Sequence, residues 1–196
     1  MTKADAASEV AAQLRSLAAL ATEVAGALAP QVADLATRVE ATLRSGGKIL
    51  FCGNGGSAAD AQHLAADYVV RFARQRAPMA ALALTTDTSV LTAEANGHGF
   101  EAVFERQVRA LARRGDLLVL HSTSGESENL LRAAAAARDL GVATAALLAK
   151  GGGRLKERVD LALVVPTSVT ARAQELQLAL GHVVCDLVER AMEEPR

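Results

Sequence analysis

Two short apolar runs, each followed by a loop of small residues and then a helical pattern, constrain this chain most. Lys48-Ile49-Leu50-Phe51 precedes Cys52-Gly53-Asn54-Gly55-Gly56-Ser57, and Leu117-Leu118-Val119-Leu120 precedes Ser122-Thr123-Ser124-Gly125-Glu126-Ser127. A strand that turns through glycine or serine into a helix start aims backbone N–H groups and hydroxyls at one point outside the sheet. Two such turns in one sheet define a pocket for an anionic small molecule, most simply a phosphorylated one.

The same alternation runs through the chain. Strands are predicted near 48–52, 80–84, 116–121, 143–148 and 161–165, and helices over about 57–74, 88–96, 100–113, 127–140 and 170–192. Apolar strands alternating with helices imply a parallel sheet covered on both faces, an α/β three-layer sandwich. One domain suits a chain of 196 residues, 51% of them hydrophobic. Ahead of the sheet, Val10, Leu14, Leu17, Leu20, Ala21, Val24 and Leu28 recur at helical spacing over 4–28. Ala29-Pro30 predicts a break, and a second helix over about 31–45 ends at Gly46-Gly47. These helices and the long last one offer more apolar surface than one sheet needs, which points to a homo-oligomer; helices that simply cover the sheet edges are the alternative.

Composition narrows the partners. A net charge of -1 and an aromatic content of 3% argue against a nucleic-acid binder. No apolar run is read as approaching the roughly 20 residues of a bilayer span, so no membrane partner is expected. Cys52 and Cys185 lie far apart and fit free buried thiols in a reducing cytoplasm rather than a disulfide.

The first loop lacks both the G-x-G-x-x-G spacing and a following Gly-Lys-Ser/Thr, so it is neither a dinucleotide fingerprint nor a Walker A loop. Asn54 adds an amide, and a plain tight turn would use the same glycines. The second loop concentrates Ser122, Thr123, Ser124 and Ser127 at a helix start, more hydroxyls than a cap requires. Phosphate would use them and the helix dipole, although Glu126 and Glu128 suit that dipole without a ligand. His63, Asp67 and Arg71 recur every four residues along one helix face. The first two could hold a metal or act as an orienter and a base; a solvated helix face shows the same spacing. Arg74 and Arg76 read as surface charges. His182 sits among Leu180, Val183, Val184 and Leu187, where a lone histidine is more often a satisfied core residue than a catalyst; after Gln174, Glu175 and Gln177, the helix could instead line a cavity or a subunit boundary. His98 reads as a loop residue, His121 as the end of a strand, and Gly151-Gly152-Gly153 as a flexible loop.

Taken together, CGNGGSAADAQH at 52–63, RF at 71–72, LTTDTSVLTA at 84–93, STSG with Ser127, and AQELQLALGH at 173–182 resemble the sugar isomerase (SIS) domain family, and within it the phosphoheptose isomerases. The resemblance spans nearly the whole chain. It implies a flavodoxin-like five-stranded parallel sheet in a single SIS domain over 1–196, with oligomerisation helices at 1–46 and a sugar-phosphate-binding core at 47–196. It also implies a cytoplasmic homotetramer with sites at subunit boundaries, converting sedoheptulose 7-phosphate to D-glycero-D-manno-heptose 7-phosphate. Phosphate would lie on Ser122, Thr123, Ser124 and Ser127, and sugar near Asn54, Gly55, Gly56, Ser57, Arg71, Asn96, Gly97 and Gln174. Zinc would lie on His63, Asp67, Gln174 and His182, with Asp67 and His182 as the acid/base pair. The family usually carries Glu where Asp67 stands and Asn-Asp where Asn96-Gly97 stands. It has Asp at the position of Ala171 and His at that of Gln177. Some relatives are non-catalytic regulators of replication initiation, and an isomerase for another sugar phosphate is a further reading. Gln174 and His182, eight residues apart, stand about 12 Å apart along one helix, so the resemblance implies that one site draws them from different protomers or that only one reaches the metal.

Overall fold

The computed structural model describes residues 1–193. Five strands, β1 (Ile49–Gly53), β2 (Ala81–Ala83), β3 (Leu117–Ser122), β4 (Ala143–Leu148) and β5 (Leu161–Val164), form one sheet. Every pairing is parallel and the order is β2-β1-β3-β4-β5. The helices are α1 (Lys3–Arg44), α2 (Gly56–Val69), α3 (Thr88–His98), α4 (Val103–Leu111), α5 (Glu128–Asp139) and α6 (Thr170–Glu193).

Strand side chains alternate between two buried layers. Ile49, Phe51, Leu117, Val119 and Leu147 face α1, α2 and α6. Leu50, Cys52, Leu118, Leu120 and Leu148 face the layer of α4 and α5. With helices on both faces the strands are near-continuous apolar runs, which is why they were visible in the sequence. The chain leaves β1 toward β2 on one side and reaches β3 on the other. The crevice between the C-terminal ends of β1 and β3 is therefore the topological switch point, where ligands bind in sheets of this kind.

Two expectations need correction. The sequence predicts a break at Pro30, but α1 runs through it as one helix of 42 residues. Pro30 and Gly26, whose carbonyl loses its partner, are both exposed, so water can take that bond. Val24, Leu28, Val32, Leu35 and Val39 continue one buried stripe across the site and hold the helix together. The helix expected over 57–74 stops at Val69, and the following turn is tied down by side chains instead. A further correction concerns apolarity. One 18-residue window of α1 reaches a mean hydropathy of 1.2, enough by length and composition to cross a membrane. The segment is alanine-rich, so its hydropathy is spread around the helix rather than carried by large side chains.

Before Val24 no residue of α1 is buried in its own chain, and Val10 and Leu14 are exposed. Beside it, an apolar groove of about 430 Å³ between α1 and α6 is lined by Ala25, Ala29, Val32, Leu180, Val183 and Leu187.

Candidate active site

The two loops meet at the switch point. A cavity of about 320 Å³ is lined by Asn54, Gly55, Gly56 and Ser57 of the first loop and by His121, Ser122, Thr123, Ser124 and Ser127 of the second, with Thr170 and Gln174 from α6. Ser122 Oγ accepts from the Gly125 N–H at 3.0 Å, and Ser124 Oγ accepts from the Glu126 N–H at 3.2 Å. Both hydroxyls thus spend an acceptor on loop geometry and keep their hydrogen to donate. Ser127 occupies the N-cap of α5 without making the side-chain capping bond, which leaves its hydroxyl uncommitted. A convergent set of free hydroxyl hydrogens at a helix N-terminus is a donor array for an anion.

Close approach fixes two glycines. A Cβ at Gly56 would meet Gln174 Nε2 at 2.5 Å, so glycine lets α6 bring Gln174 onto the first loop. Gly125 has φ +68°, and a Cβ there would lie 1.9 Å from the Gly152 carbonyl oxygen. The 151–153 glycines are therefore not a loose loop; they form a short helical turn packed beneath the hydroxyl loop.

Asn54 is more committed than the sequence implied. Its amide exchanges two hydrogen bonds with Asn129, at 3.0 and 2.9 Å, which locks the first loop to the start of α5. Nothing in the spacing pointed to Asn129.

The second group of interest lies farther along α2 and α6. The pairs Gly56 with Gln174, Leu64 with Gly181 and Phe72 with Glu189 advance together, so the two helices run parallel away from the cavity. They bring His63 and Asp67 opposite His182. His182 Nε2 lies 3.1 Å from His63 Nε2, and Asp67 Oδ2 lies 3.6 Å from each imidazole. The two imidazole nitrogens are close enough to share a proton. Asp67 Oδ2 is buried without a hydrogen-bond partner, and burial pushes its carboxyl above the usual range while His63 and His182 pull it back. The three ligand atoms lie within 4.8 Å of one another. Two histidines and a carboxylate are zinc's ordinary donors and leave one coordination position open, so the set fits a catalytic zinc.

Gln174 faces the cavity rather than this triad, as the eight-residue spacing on a straight helix requires. Arg71 is exposed beyond the end of α2. Asn96 and Gly97 are exposed on α3 and do not line the cavity, and His98 is helical there, paired with Glu94 at 3.2 Å. Arg76, read as a surface charge, is buried: its side chain is 6% exposed and sits 2.8 Å from the fully buried Glu189.

His121 is fully buried at the base of the cavity, with no partner for either ring nitrogen, and burial lowers its pKa to about 4. The folded chain thus holds this imidazole neutral while the unfolded chain protonates it near 6.5. Stability is complete above pH 6.5 and falls as pH drops toward 4, by up to about 3 kcal/mol. Urea denaturation at pH 7.5 and pH 4.5 will show that loss, and His121→Leu will reduce it.

A hydroxyl-lined cavity of about 320 Å³ at the switch point of a parallel sheet, with a His/Asp/His triad farther along the two helices that flank it, is the arrangement of a phosphosugar-binding α/β protein. The SIS domain matches residues 13–149, and the chain belongs to that family. Within it the chain groups with the phosphoheptose isomerases. It is 53% identical over 166 residues to the phosphoheptose isomerase of Roseiflexus sp., covering 85% of this chain and 84% of the relative. The fold superposes on the structure of phosphoheptose isomerase from Neisseria gonorrhoeae with a TM-score of 0.89 at 42% identity, covering 93% of this chain and 98% of that one. For the Francisella tularensis phosphoheptose isomerase the TM-score is 0.91 at 36% identity, covering 97% and 100%.

Proposed function

We propose that the protein converts sedoheptulose 7-phosphate to D-glycero-D-manno-heptose 7-phosphate, an aldose–ketose isomerisation that serves heptose biosynthesis. The observation that carries this reading is the pairing of a hydroxyl-lined cavity with a carboxylate that turns one buried oxygen, without a hydrogen bond, toward two imidazoles. Ser122, Thr123, Ser124 and Ser127 bind the phosphate. Asn54 to Ser57 and Gln174 orient the sugar.

Isomerisation removes a proton from C1, passes through an enediol(ate), and returns a proton to C2. Asp67, whose pKa burial raises, is the base that lifts the C1 proton. His182 serves the O1 and O2 oxygens, giving a proton to one and taking it from the other. Zinc, held by His63, Asp67 and His182, would act as a Lewis acid on the developing oxyanion. Gln174 joins that set only from a partner subunit, since in its own chain it faces the cavity. The unburied first half of α1 and the apolar α1–α6 groove support a homotetramer, with sites completed at subunit boundaries. A polar, sugar-phosphate cavity and an alanine-rich α1 whose second half packs on α6 fit a cytoplasmic enzyme without membrane or nucleic-acid partners.

Incubation of the purified protein with sedoheptulose 7-phosphate, followed by NMR, tests the assignment. Aldose signals are expected, stronger with zinc added. No turnover with or without zinc would move the reading to a non-catalytic sugar-phosphate-binding regulator, and turnover of another sugar phosphate alone would change the substrate.

A further inference from the structure

The buried Arg76–Glu189 pair belongs to neither the cavity nor the triad, yet it touches both helices that build the triad. Glu189, on α6, is fully buried. Its Oε1 accepts from the Phe72 N–H at 2.8 Å and from Arg76 Nε at 2.8 Å; its Oε2 accepts from the Ala73 and Arg74 N–H groups at 2.9 and 3.0 Å. Arg76 turns the other edge of its guanidinium to the end of α2. It donates to the Asp67 carbonyl at 2.7 Å and to the Tyr68 carbonyl at 2.9 Å. One ion pair therefore fixes the last turn of α2, which carries Asp67, and the segment Phe72–Arg74 beyond it.

The first of those residues is Phe72. Its ring packs on the core and lies against His182 with centroids 5.2 Å apart and planes 29° from parallel. His182 also meets His63, at a ring-centroid distance of 5.0 Å. The imidazole therefore has both an aromatic face and the α2 histidine as ring neighbours. A histidine one-third exposed has room to rotate about its side-chain bonds, and a flat neighbour removes that freedom.

We propose that Phe72 is a positioning residue for His182, and that Glu189 and Arg76 lock Phe72 in place by binding the backbone around it. Phe72 touches no reacting atom. It acts by keeping His182 Nε2 aimed at His63 and Asp67, which rests on the assignment of His182 to the reaction. The same anchor holds Asp67, so the two proposed proton-transfer groups share one support across α2 and α6.

The test is Phe72→Leu, which keeps an apolar side chain but removes the flat face, with Phe72→Tyr as the conservative variant. Ring-proton NOEs between His63 and His182 in the full-length protein report the geometry without metal or turnover. They should weaken or vanish in Phe72→Leu and return in Phe72→Tyr. Zinc affinity, measured by competition with a chromogenic chelator, should fall roughly 10- to 100-fold in Phe72→Leu, the usual effect of losing a group that orients a ligand. The turnover number should fall by a similar factor with KM within twofold. Unchanged NOEs and unchanged zinc affinity in a folded Phe72→Leu protein would overturn the proposal. If that variant does not fold, Phe72→Met carries the same readouts. Should the wild type not turn over sedoheptulose 7-phosphate, the proposed reaction fails, while the NOEs still decide whether Phe72 positions the ring.

Discussion

Asp67→Asn will lower turnover of sedoheptulose 7-phosphate by roughly 10³-fold or more, within the range expected for losing a proton-transfer group. The change is nearly isosteric, so it removes the charge and the basic oxygen without opening a hole. Asp67 Oδ2 stands 3.6 Å from both imidazoles, and no other carboxylate among the described residues joins His63 and His182 in this cluster. The hydroxyl loop shares the cavity with Gly56 and Ser57 at the start of α2, while Asp67 lies eleven residues along that helix, about 16 Å at the helical rise. Affinity for inorganic phosphate, measured by calorimetry, should therefore stay within a few fold. Substantial retained activity would remove Asp67 from the proton-transfer role, and loss of phosphate affinity would mean that the substitution had disturbed the cavity. Zinc affinity should also drop, since a neutral amide is a poorer ligand than a carboxylate.

Glu189→Ala will have the largest effect on stability, about 3–5 kcal/mol. The carboxylate, itself fully buried, satisfies three main-chain N–H groups and one guanidinium N–H. Burial alone would push its carboxyl up, but the bonds from Phe72, Ala73 and Arg74 and the charge of Arg76 outweigh that and hold it low. Truncation takes the acceptor from four donors at once, one of them charged. Against a typical total of about 5–15 kcal/mol, the variant should unfold at far lower urea than the wild type or fail to accumulate as folded protein. A urea midpoint within experimental error of the wild type would contradict the role given to this pair. Arg76→Ala should cost a similar amount, and the double variant less than the sum, because each single change strands the other partner.

How much of this was legible in the sequence depended on whether a local pattern or a distant contact was responsible. The strands were visible because both faces of the sheet are covered, which leaves Ile49–Cys52 and Leu117–Leu120 as unbroken apolar runs. The hydroxyl loop was visible because four hydroxyls crowd one helix start. The His63, Asp67 and His182 set was reachable from i,i+4 spacing on one helix and from family resemblance on the other, but only the parallel packing of α2 and α6 brings the rings to 3.1 Å. Pro30 misled because a proline signals a helix end locally, whereas the buried stripe on either side of it is a tertiary fact. Arg76 misled for the same reason: its partner, Glu189, stands 113 residues away, and no spacing rule connects them. Asn129 was hidden by its distance from Asn54, and the tight role of Gly151–Gly153 by the fact that their neighbour is the loop after β3.

The central claim is that the hydroxyl loop holds the phosphate of a substrate whose reacting carbons lie beside Asp67 and His182. The most direct measurement is a crystal structure of the Asp67→Asn protein, assembled in its native oligomer, with sedoheptulose 7-phosphate bound. The phosphate should lie within hydrogen-bond distance of Ser122, Thr123, Ser124 and Ser127, with C1 and C2 reaching position 67 and His182 of the same chain or of the partner subunit. A phosphate bound elsewhere, or C1 and C2 remote from both residues in every subunit, would contradict it.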